Sequence, residues 1–245
     1  MKQYFLGIEF GSTRIKAVLL DEKHAIVKSG DYTWKSSLEN GVWTYHMEDV
    51  QEGLRTAIRN LGELPGKISA MGVSGMMHGY LAFDKDWNLL APFRTWQNTM
   101  TGEAADKLTE AFGFNIPQRW SAAHLYQAVL NGEPHVKNIA HVTTLAGYVH
   151  YLLTGENVLG VGEASGMFPI DSETLTYDAA MLDKFDALTA KYGFDWNIRA
   201  VLPEVRTAGQ SAGLLTPSGS EYLGGLLPAG IPLCPVSYTH LTLPT

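Results

Sequence analysis

Apolar and polar residues alternate in short runs at the start of the chain, and this pattern predicts three β-strands. A largely apolar run at 4–8 is followed by small and polar residues at 9–13 and by a second apolar run at 15–20. Two apolar runs around a short polar stretch are typical of a β-hairpin. After turn residues at 21–24, the segment 25–27 is apolar again. We therefore expect a sheet that begins with three antiparallel strands.

A helical period begins at residue 47 and continues to Leu61, with apolar side chains at three- and four-residue spacing and acidic residues at its start. This spacing predicts an amphipathic helix. The apolar segments 68–74 and 80–83 are typical of strands. The segment 34–45 has no clear period, and we expect it to be a surface loop.

The rest of the chain is mainly helical in pattern, with strand-like segments between the helices. Ser121 is the expected N-cap of one of these helices. We expect a strand and turn at 160–168, a loop at 202–205 and a short strand at 209–215. The alternation of helices and strands predicts an α/β fold. The predicted helices cover 101–113, 121–130, 145–153 and 177–192.

The composition of the chain argues against several classes of protein. The 245 residues, 45% of them hydrophobic, are enough for one large core or two small ones. The net charge of −7 and the lack of a Lys/Arg cluster argue against a nucleic-acid-binding surface. Cys234 is the single cysteine, so neither an internal disulfide nor a zinc site of Cys/His spacing is expected. No apolar stretch has the length of a signal peptide or a membrane span, so we expect a soluble, cytoplasmic protein.

The polar stretch of the first hairpin has the composition of a phosphate-binding loop. Gly11 permits a tight turn, and the hydroxyls of Ser12 and Thr13 would join backbone N–H groups in a concave donor surface. The carboxylate of Glu9, at the end of the first strand, would lie beside this surface and could hold a hydrated magnesium ion. An ordinary hairpin with a solvated carboxylate is the alternative.

A second candidate site follows the strand at 68–74. His78 stands between glycines at the carboxyl end of this strand, where open α/β sheets place their ligands. Further on, Trp96 offers a flat apolar face and Asn98 an amide, a pair that suits a sugar or polyol. A connecting turn with a satisfied histidine, and plain packing of Trp96, are the alternatives. His150, on a predicted helix, is interpreted as a packed residue.

Seven motifs, in the same order along the chain, resemble those of the FGGY family of carbohydrate kinases and are xylulokinase-like within it. This family has the actin/hexokinase-like ribonuclease-H fold, so the resemblance implies a mixed sheet with helices on both faces. It covers the chain up to Pro235 and implies the N-terminal half of a two-domain kinase. The motifs are GIEFGSTRIKAVLLD (7–21), VSGMMHG (73–79), TWQN (95–98), YLLTGE (151–156), EASGMFPID (163–171), LPEV (202–205) and AGQSAGLLT (208–216).

The resemblance implies ATP-dependent phosphorylation of a sugar hydroxyl, with Mg²⁺. Glu9 stands where the family has a metal-associated aspartate. Its longer side chain is expected to reach the metal through water. Ser12, Thr13 and Arg14 would contact the ATP phosphates, with Lys16 as a helper.

The resemblance also assigns the sugar pocket to Met77, His78, Trp96 and Asn98. Met76 stands where xylulokinases have glutamine, and this removes a hydrogen-bonding group near the sugar. Because buried polar groups discriminate strongly among hydroxyl patterns, we expect the preferred pattern of hydroxyls to differ from that of a xylulokinase. The substrate class that the resemblance implies is a ketopentose such as xylulose or ribulose, or a related sugar or polyol. A homodimer of the full-length protein is also compatible with the resemblance.

The expected domain is 1–236, the sugar-binding domain of such a kinase. Segment 237–245 does not resemble the family and is expected to be foreign or disordered. In the family, a general-base aspartate follows the position of Val236, and an ATP-binding domain follows that aspartate. Because this chain has neither, it is expected to lack turnover by itself. The alternatives are a non-catalytic binding or assembly module of the actin-like fold, an acetate-kinase-like or ROK-type enzyme, and a structural domain without a ligand.

Overall fold

The computed structural model describes residues 2–236. The expectations about 237–245 lie outside these residues. The strands are β1 (Gln3–Phe10), β2 (Arg14–Leu20), β3 (Ile26–Thr33), β4 (Ser37–Glu39), β5 (Val42–Thr44), β6 (Lys67–Gly75), β7 (Leu81–Phe83), β8 (His141–Thr143), β9 (Val158–Gly160) and β10 (Glu204–Arg206). The α-helices are α1 (Met47–Arg59), α2 (Gly102–Phe112), α3 (Ser121–Leu130), α4 (Leu145–Thr154), α5 (Val161–Ala164), α6 (Ala179–Thr189), α7 (Ile198–Val201) and α8 (Pro217–Tyr222).

The main sheet has four strands in the order β3-β2-β1-β6. The first three strands are antiparallel, as predicted, and β6 runs parallel to β1. The chain returns to the free edge of β6 near its end, where Met71 N–H donates to the carbonyl of Pro232 at 2.9 Å and Cys234 N–H donates to Met71 at 3.0 Å. The predicted α/β class and the mixed sheet are confirmed.

One face of the sheet carries the core. Alternate residues of β1 and β2 are buried there, from Leu6 and Ile8 to Phe10 and Ile15. Helix α1 packs on this face because Val50, Leu54, Ala57 and Ile58 form its apolar stripe. Helix α4 packs on the same face, where Ala146 contacts Gly75 of β6. The opposite face carries exposed or half-exposed residues, among them Gly7, Glu9 and Lys16.

Several predicted elements differ from the structure because long-range pairing decides them. The predicted loop at 34–45 contains the hairpin of β4 and β5, and the third strand extends to Thr33 through its pairing with β2. The segment after Gly160 forms helix α5 instead of a turn. The strand expected at 209–215 is absent from the described structure, and β10 forms earlier by pairing with β9.

The predicted N-cap of α3 is also wrong. Trp120 occupies the cap position, and Ser121 is the first helical residue. The Ser121 hydroxyl donates instead to the carbonyl of Gly79 at 2.6 Å. None of the helices within residues 2–236 combines the length and apolarity needed to cross a membrane.

Gly30 permits the close contact between β3 and α1, which gives a test of the packing. A Cβ at this position would lie 2.2 Å from the backbone oxygen of Ala57 and 2.9 Å from Cβ of Asn60. Because helix backbone yields little, Gly30→Ala should lower the free energy of unfolding by about 1–3 kcal/mol, as overpacking does. Urea denaturation measures this change.

The matched control is Gly7→Ala, in β1 of the same sheet. A Cβ there would meet only the Val18 oxygen, at 4.0 Å. This variant should unfold at the wild-type urea concentration or slightly above it. Equal destabilisation by Gly7→Ala and Gly30→Ala would contradict the packing described here.

Candidate functional site

Strands β1 and β6 end side by side and lead directly into the two candidate segments. The N–H of Met76, the first residue after β6, donates to the carbonyl of Phe10, the last residue of β1, at 2.8 Å. The carboxyl ends of parallel strands lie at one edge of a sheet, which is where α/β proteins place ligands. The hairpin loop at 11–13 and the segment 76–79 are therefore neighbours.

Two aromatic residues hold the hairpin loop through hydrogen bonds to its carbonyl groups. The Trp34 indole donates a hydrogen bond to the carbonyl of Gly11 at 2.8 Å, and the Trp34 backbone N–H donates to the carbonyl of Thr13 at 3.1 Å. The Tyr45 hydroxyl donates to the carbonyl of Ser12 at 2.7 Å. Ser12 and Thr13 are exposed, and no described residue accepts a hydrogen bond from their backbone N–H groups. The loop therefore offers donors to solvent while its carbonyls are engaged.

Charged side chains flank the loop in weak ion pairs. Lys16 and Glu9 lie opposite each other in β2 and β1, with Nζ and Oε2 3.6 Å apart, and Arg14 lies 3.7 Å from Asp31. All four side chains are about half exposed, so these pairs contribute little stability and an anion can displace them. Residues 2–236 contain no group of three acidic, histidine or cysteine side chains arranged to hold a metal. The lone Glu9 fits a magnesium ion that keeps its waters and is shared with phosphate.

A pocket of about 710 Å³ opens beside the segment 76–79. Three of the four residues predicted to contact sugar lie in its wall. They are Met77, His78 and Trp96. Arg119 and Trp120, from the turn before α3, also line the pocket, although the sequence did not single them out. A lone arginine in a loop has no periodic pattern that would mark it.

The fourth predicted residue, Asn98, does not lie in this wall. Its side chain is buried, its oxygen accepts from the Trp43 N–H at 2.9 Å, and its amide group donates to the carbonyls of Trp43 and Thr95 at 2.9 and 3.0 Å. These bonds use its polar atoms. The structure therefore places Asn98 as a support that ties the Trp96 loop to β5.

His78, in the pocket wall, has an unusual backbone conformation. It adopts a left-handed conformation with φ of 76°, and Gly79 follows with φ of 96°. Gly79 is held on both sides, because its N–H donates to Arg119 at 3.2 Å and its carbonyl accepts from Ser121. These bonds compensate for a conformation that costs energy outside glycine.

The tautomer of His78 follows from its contact with Gly166. The ring Nδ1 lies 3.0 Å from the Gly166 carbonyl, which can only accept, so Nδ1 carries the proton. Burial lowers the pKa of His78 and the charge of Arg119 lowers it further, although the bond to Gly166 opposes them. The ring is therefore neutral at pH 7, and its Nε2 is left as a hydrogen-bond acceptor.

Gly166 is a second residue whose importance the sequence alone did not reveal. A Cβ at this position would lie 2.4 Å from Cγ of Met77 and 2.8 Å from Nδ1 of His78. Only glycine lets this carbonyl approach the histidine so closely. The motif EASGMFPID contains the residue, but the reason for the glycine lies 88 residues away along the chain.

A fully buried carboxyl group lies behind the pocket wall. Glu163 is between Gly162 and Ser165, both of which line the pocket, and neither of its carboxyl oxygens has a hydrogen-bond partner among the described residues. Burial raises its pKa to about 8, although the neighbouring Thr144 hydroxyl has an opposing effect. Glu163 is therefore mainly protonated at pH 7.

Comparisons with known proteins show the family and the fold to which this chain is similar. The family model of the FGGY family of carbohydrate kinases, N-terminal domain, matches residues 4–237. Glycerol kinase of Thermococcus gammatolerans is 25% identical, over 93% of this chain and 47% of that protein. The solved xylulose kinase from Rhodospirillum rubrum has a TM-score of 0.81 at 22% identity and covers 97% of this chain. Gluconate kinase from Lactobacillus acidophilus has a TM-score of 0.81 at 18% identity and covers 97%.

These alignments also bound what the chain contains. It spans about half the length of the curated relatives it matches, and 48–50% of the two solved structures. The structural likeness confirms the fold expected from the resemblance, that of the N-terminal half of a sugar kinase.

The buried Glu163 gives a prediction on pH. Its ordinary pKa of 4.5 applies to the unfolded chain, so between that value and about 8 the native state holds a proton that the unfolded state has lost. Its contribution to stability is therefore complete below pH 4.5 and is lost as the pH rises through 8. Glu163→Gln removes this dependence, and its stability relative to wild type should rise from about pH 5 to pH 8, by up to about 1.4 kcal/mol per pH unit.

Urea denaturation at several pH values measures that difference. The buried His124 and His150, with pKa values lowered to about 3 and about 4, favour the native state at higher pH, but they are common to both proteins and cancel. Glu48→Gln, at the exposed start of α1, is the matched control and should follow the wild type. A constant difference between Glu163→Gln and wild type would contradict a protonated Glu163.

Proposed function

The chain belongs to the FGGY family of carbohydrate kinases, and we propose that it supplies the sugar-binding half of an enzyme that transfers the γ-phosphoryl group of ATP to a hydroxyl of a sugar or polyol. The observation that carries this proposal is the hydrogen bond between Met76 and Phe10. It joins the donor-rich hairpin loop to the pocket that contains His78. The sugar hydroxyl and the γ-phosphoryl group of ATP would then meet at one edge of the sheet.

On the phosphate side, this chain offers donors and cations. The free N–H groups and hydroxyls of Ser12 and Thr13 would bind phosphate oxygens, and Arg14 and Lys16 would exchange their exposed partners for them. Glu9, released from Lys16, would hold a water of the magnesium shell. When bound, ATP with Mg²⁺ supplies the phosphoryl group, and the transfer depends mainly on positioning and charge stabilisation.

On the sugar side, His78 would accept a hydrogen bond from a substrate hydroxyl through its unprotonated Nε2. Trp96, Met76 and Met77 offer apolar surface for the C–H faces of the ring or chain. Asn98 is proposed to act through the Trp96 loop and not as a ligand. A ketopentose such as xylulose or ribulose, or a related sugar or polyol, is the proposed substrate class.

The transfer step is proposed for the whole protein, since the chain spans about half of its curated relatives. Within this proposal, residues 1–236 form the sugar-binding domain, the general base is supplied from elsewhere, and the 245-residue chain binds sugar without turnover. A cytoplasmic location and a homodimer of the whole protein belong to the same proposal.

Binding of sugars to the 245-residue chain tests the proposal. Isothermal titration calorimetry with xylulose, ribulose, glycerol, xylitol and gluconate should show saturable binding of at least one of them. His78→Asn should weaken that binding about two- to tenfold, the effect of losing one hydrogen bond within a binding site. Asparagine is chosen because it tolerates the left-handed backbone.

The matched control is His24→Asn, because His24 is also left-handed, with φ of 60°, but lies in the turn before β3, away from the pocket wall. It should leave the affinity unchanged. Failure of all five ligands to bind, or equal effects of the two substitutions, would contradict the sugar site.

The pH dependence of binding follows from the neutral ring. Because the pKa of His78 lies below its ordinary value of 6.5, the acceptor Nε2 should persist through pH 6.5, and affinity should fall only in more acidic solution. Titrations at decreasing pH measure this fall. Affinity that falls as soon as the pH drops below neutrality would contradict a lowered pKa.

A further inference from the structure

The described part of the pocket wall carries a positive charge. Among the described residues that line the pocket, Arg119 is the only one with a permanent charge, and none is acidic. Carboxylates are good acceptors for the hydroxyl protons of a neutral polyol, but this wall supplies mainly donors. The chain as a whole has a net charge of −7, so a cation in this pocket is a local feature against an acidic background.

The backbone of Arg119 is fixed while its side chain is free. Its carbonyl accepts from the Gly79 N–H at 3.2 Å, the preceding Gln118 accepts from the Thr101 hydroxyl at 2.5 Å, and Trp120 N–H closes a turn on Pro117 at 3.0 Å. No described residue forms an ion pair or hydrogen bond with the guanidinium group, which is exposed. Two other arginines near the site, Arg14 and Arg94, each have a carboxylate partner.

The guanidinium group of Arg119 lies in the same pocket wall as His78. Its positive charge is one cause of the lowered pKa of the His78 imidazole, so the two groups lie within electrostatic reach of each other. A guanidinium group binds a carboxylate or phosphate through two parallel hydrogen bonds, and it gains far less from a neutral hydroxyl. A ligand that contacts His78 through a hydroxyl can therefore present an anionic group to Arg119.

We propose that, among the sugars and polyols of the proposed function, the substrate bound in this pocket is a derivative that carries an anionic group, and that Arg119 binds this group and selects for it. The proposal rests on the proposed function, because it names the substrate class of the same site. Arg119 is a specificity-determining residue in it, while His78 recognises the hydroxyls. The anionic group is a carboxylate, as in a sugar acid, or a phosphate monoester.

Calorimetric titration of the 245-residue chain with three probes tests this proposal. Gluconate and glucitol differ only in a carboxylate in place of a terminal hydroxymethyl group, and glucitol 6-phosphate carries a phosphate monoester. At least one anion should bind about tenfold or more tighter than glucitol, as expected for charge-assisted hydrogen bonds. The tighter of the two anions identifies the group, and its advantage should shrink at high ionic strength.

Substitutions then assign the preference to Arg119. Arg119→Met should abolish the advantage of the anion over glucitol, and Arg119→Lys should retain part of it, because lysine keeps the charge without the paired donors. Arg59→Met removes a surface cation of α1 that pairs with Glu52. It should preserve the preference and thereby control for net charge.

Three results would overturn the proposal, and the first two compare affinities. Glucitol could bind as tightly as both anions, or Arg119→Met and Arg59→Met could reduce the anion preference equally. If His78→Asn still weakens glucitol in either case, the sugar site stands and only the anionic substrate is rejected. If none of the three probes binds, the anionic substrate is rejected as well, and the ketopentoses and glycerol of the earlier panel decide the proposed function separately.

Discussion

The parallel pairing of β1 with β6 is the constraint on which the rest of the site depends. In this register Phe10 lies opposite Gly75, and the Met76 N–H continues the pairing to the Phe10 carbonyl. The register is held by the core, because a shift of one residue would turn Phe10 to solvent and Glu9 into the apolar layer. The hairpin loop and the pocket segment therefore leave the sheet at the same edge, side by side.

A second condition is the left-handed backbone of His78 and Gly79. Such a conformation persists only where the surroundings impose it. Here the surroundings are two separate parts of the chain. The Gly166 carbonyl holds the imidazole, while Ser121 and Arg119, at the start of α3, hold the carbonyl and the N–H of Gly79. The same contacts decide the tautomer of His78, so backbone support and hydrogen-bonding chemistry have one origin.

The structure separates ionisable groups by their surroundings. Glu163 and His124 are buried without hydrogen-bond partners among the described residues, and burial keeps both mainly neutral at pH 7. The cations of the site remain in water, where Lys16 and Arg14 have weak partners and Arg119 has none that the described structure shows. These three cations are exposed, so an anion can bind to them without disrupting a buried ion pair.

The sequence by itself determined the elements that depend on local periodicity. It predicted the first hairpin, helix α1 and strand β6, because their apolar spacing is strong, and it selected Met77, His78 and Trp96, which the structure brings to one pocket. Family motifs added the fold, because the resemblance extends over nearly the whole chain.

Only the tertiary structure decided the positions that depend on distant partners. Asn98 bonds to Trp43, 55 residues away, and so supports the pocket loop without lining the pocket. Arg119 enters the wall because the turn before α3 is held by Gly79, and Gly166 is required because His78 approaches it. A local pattern records the spacing of neighbours along the chain, and these contacts join residues that are neighbours only after folding.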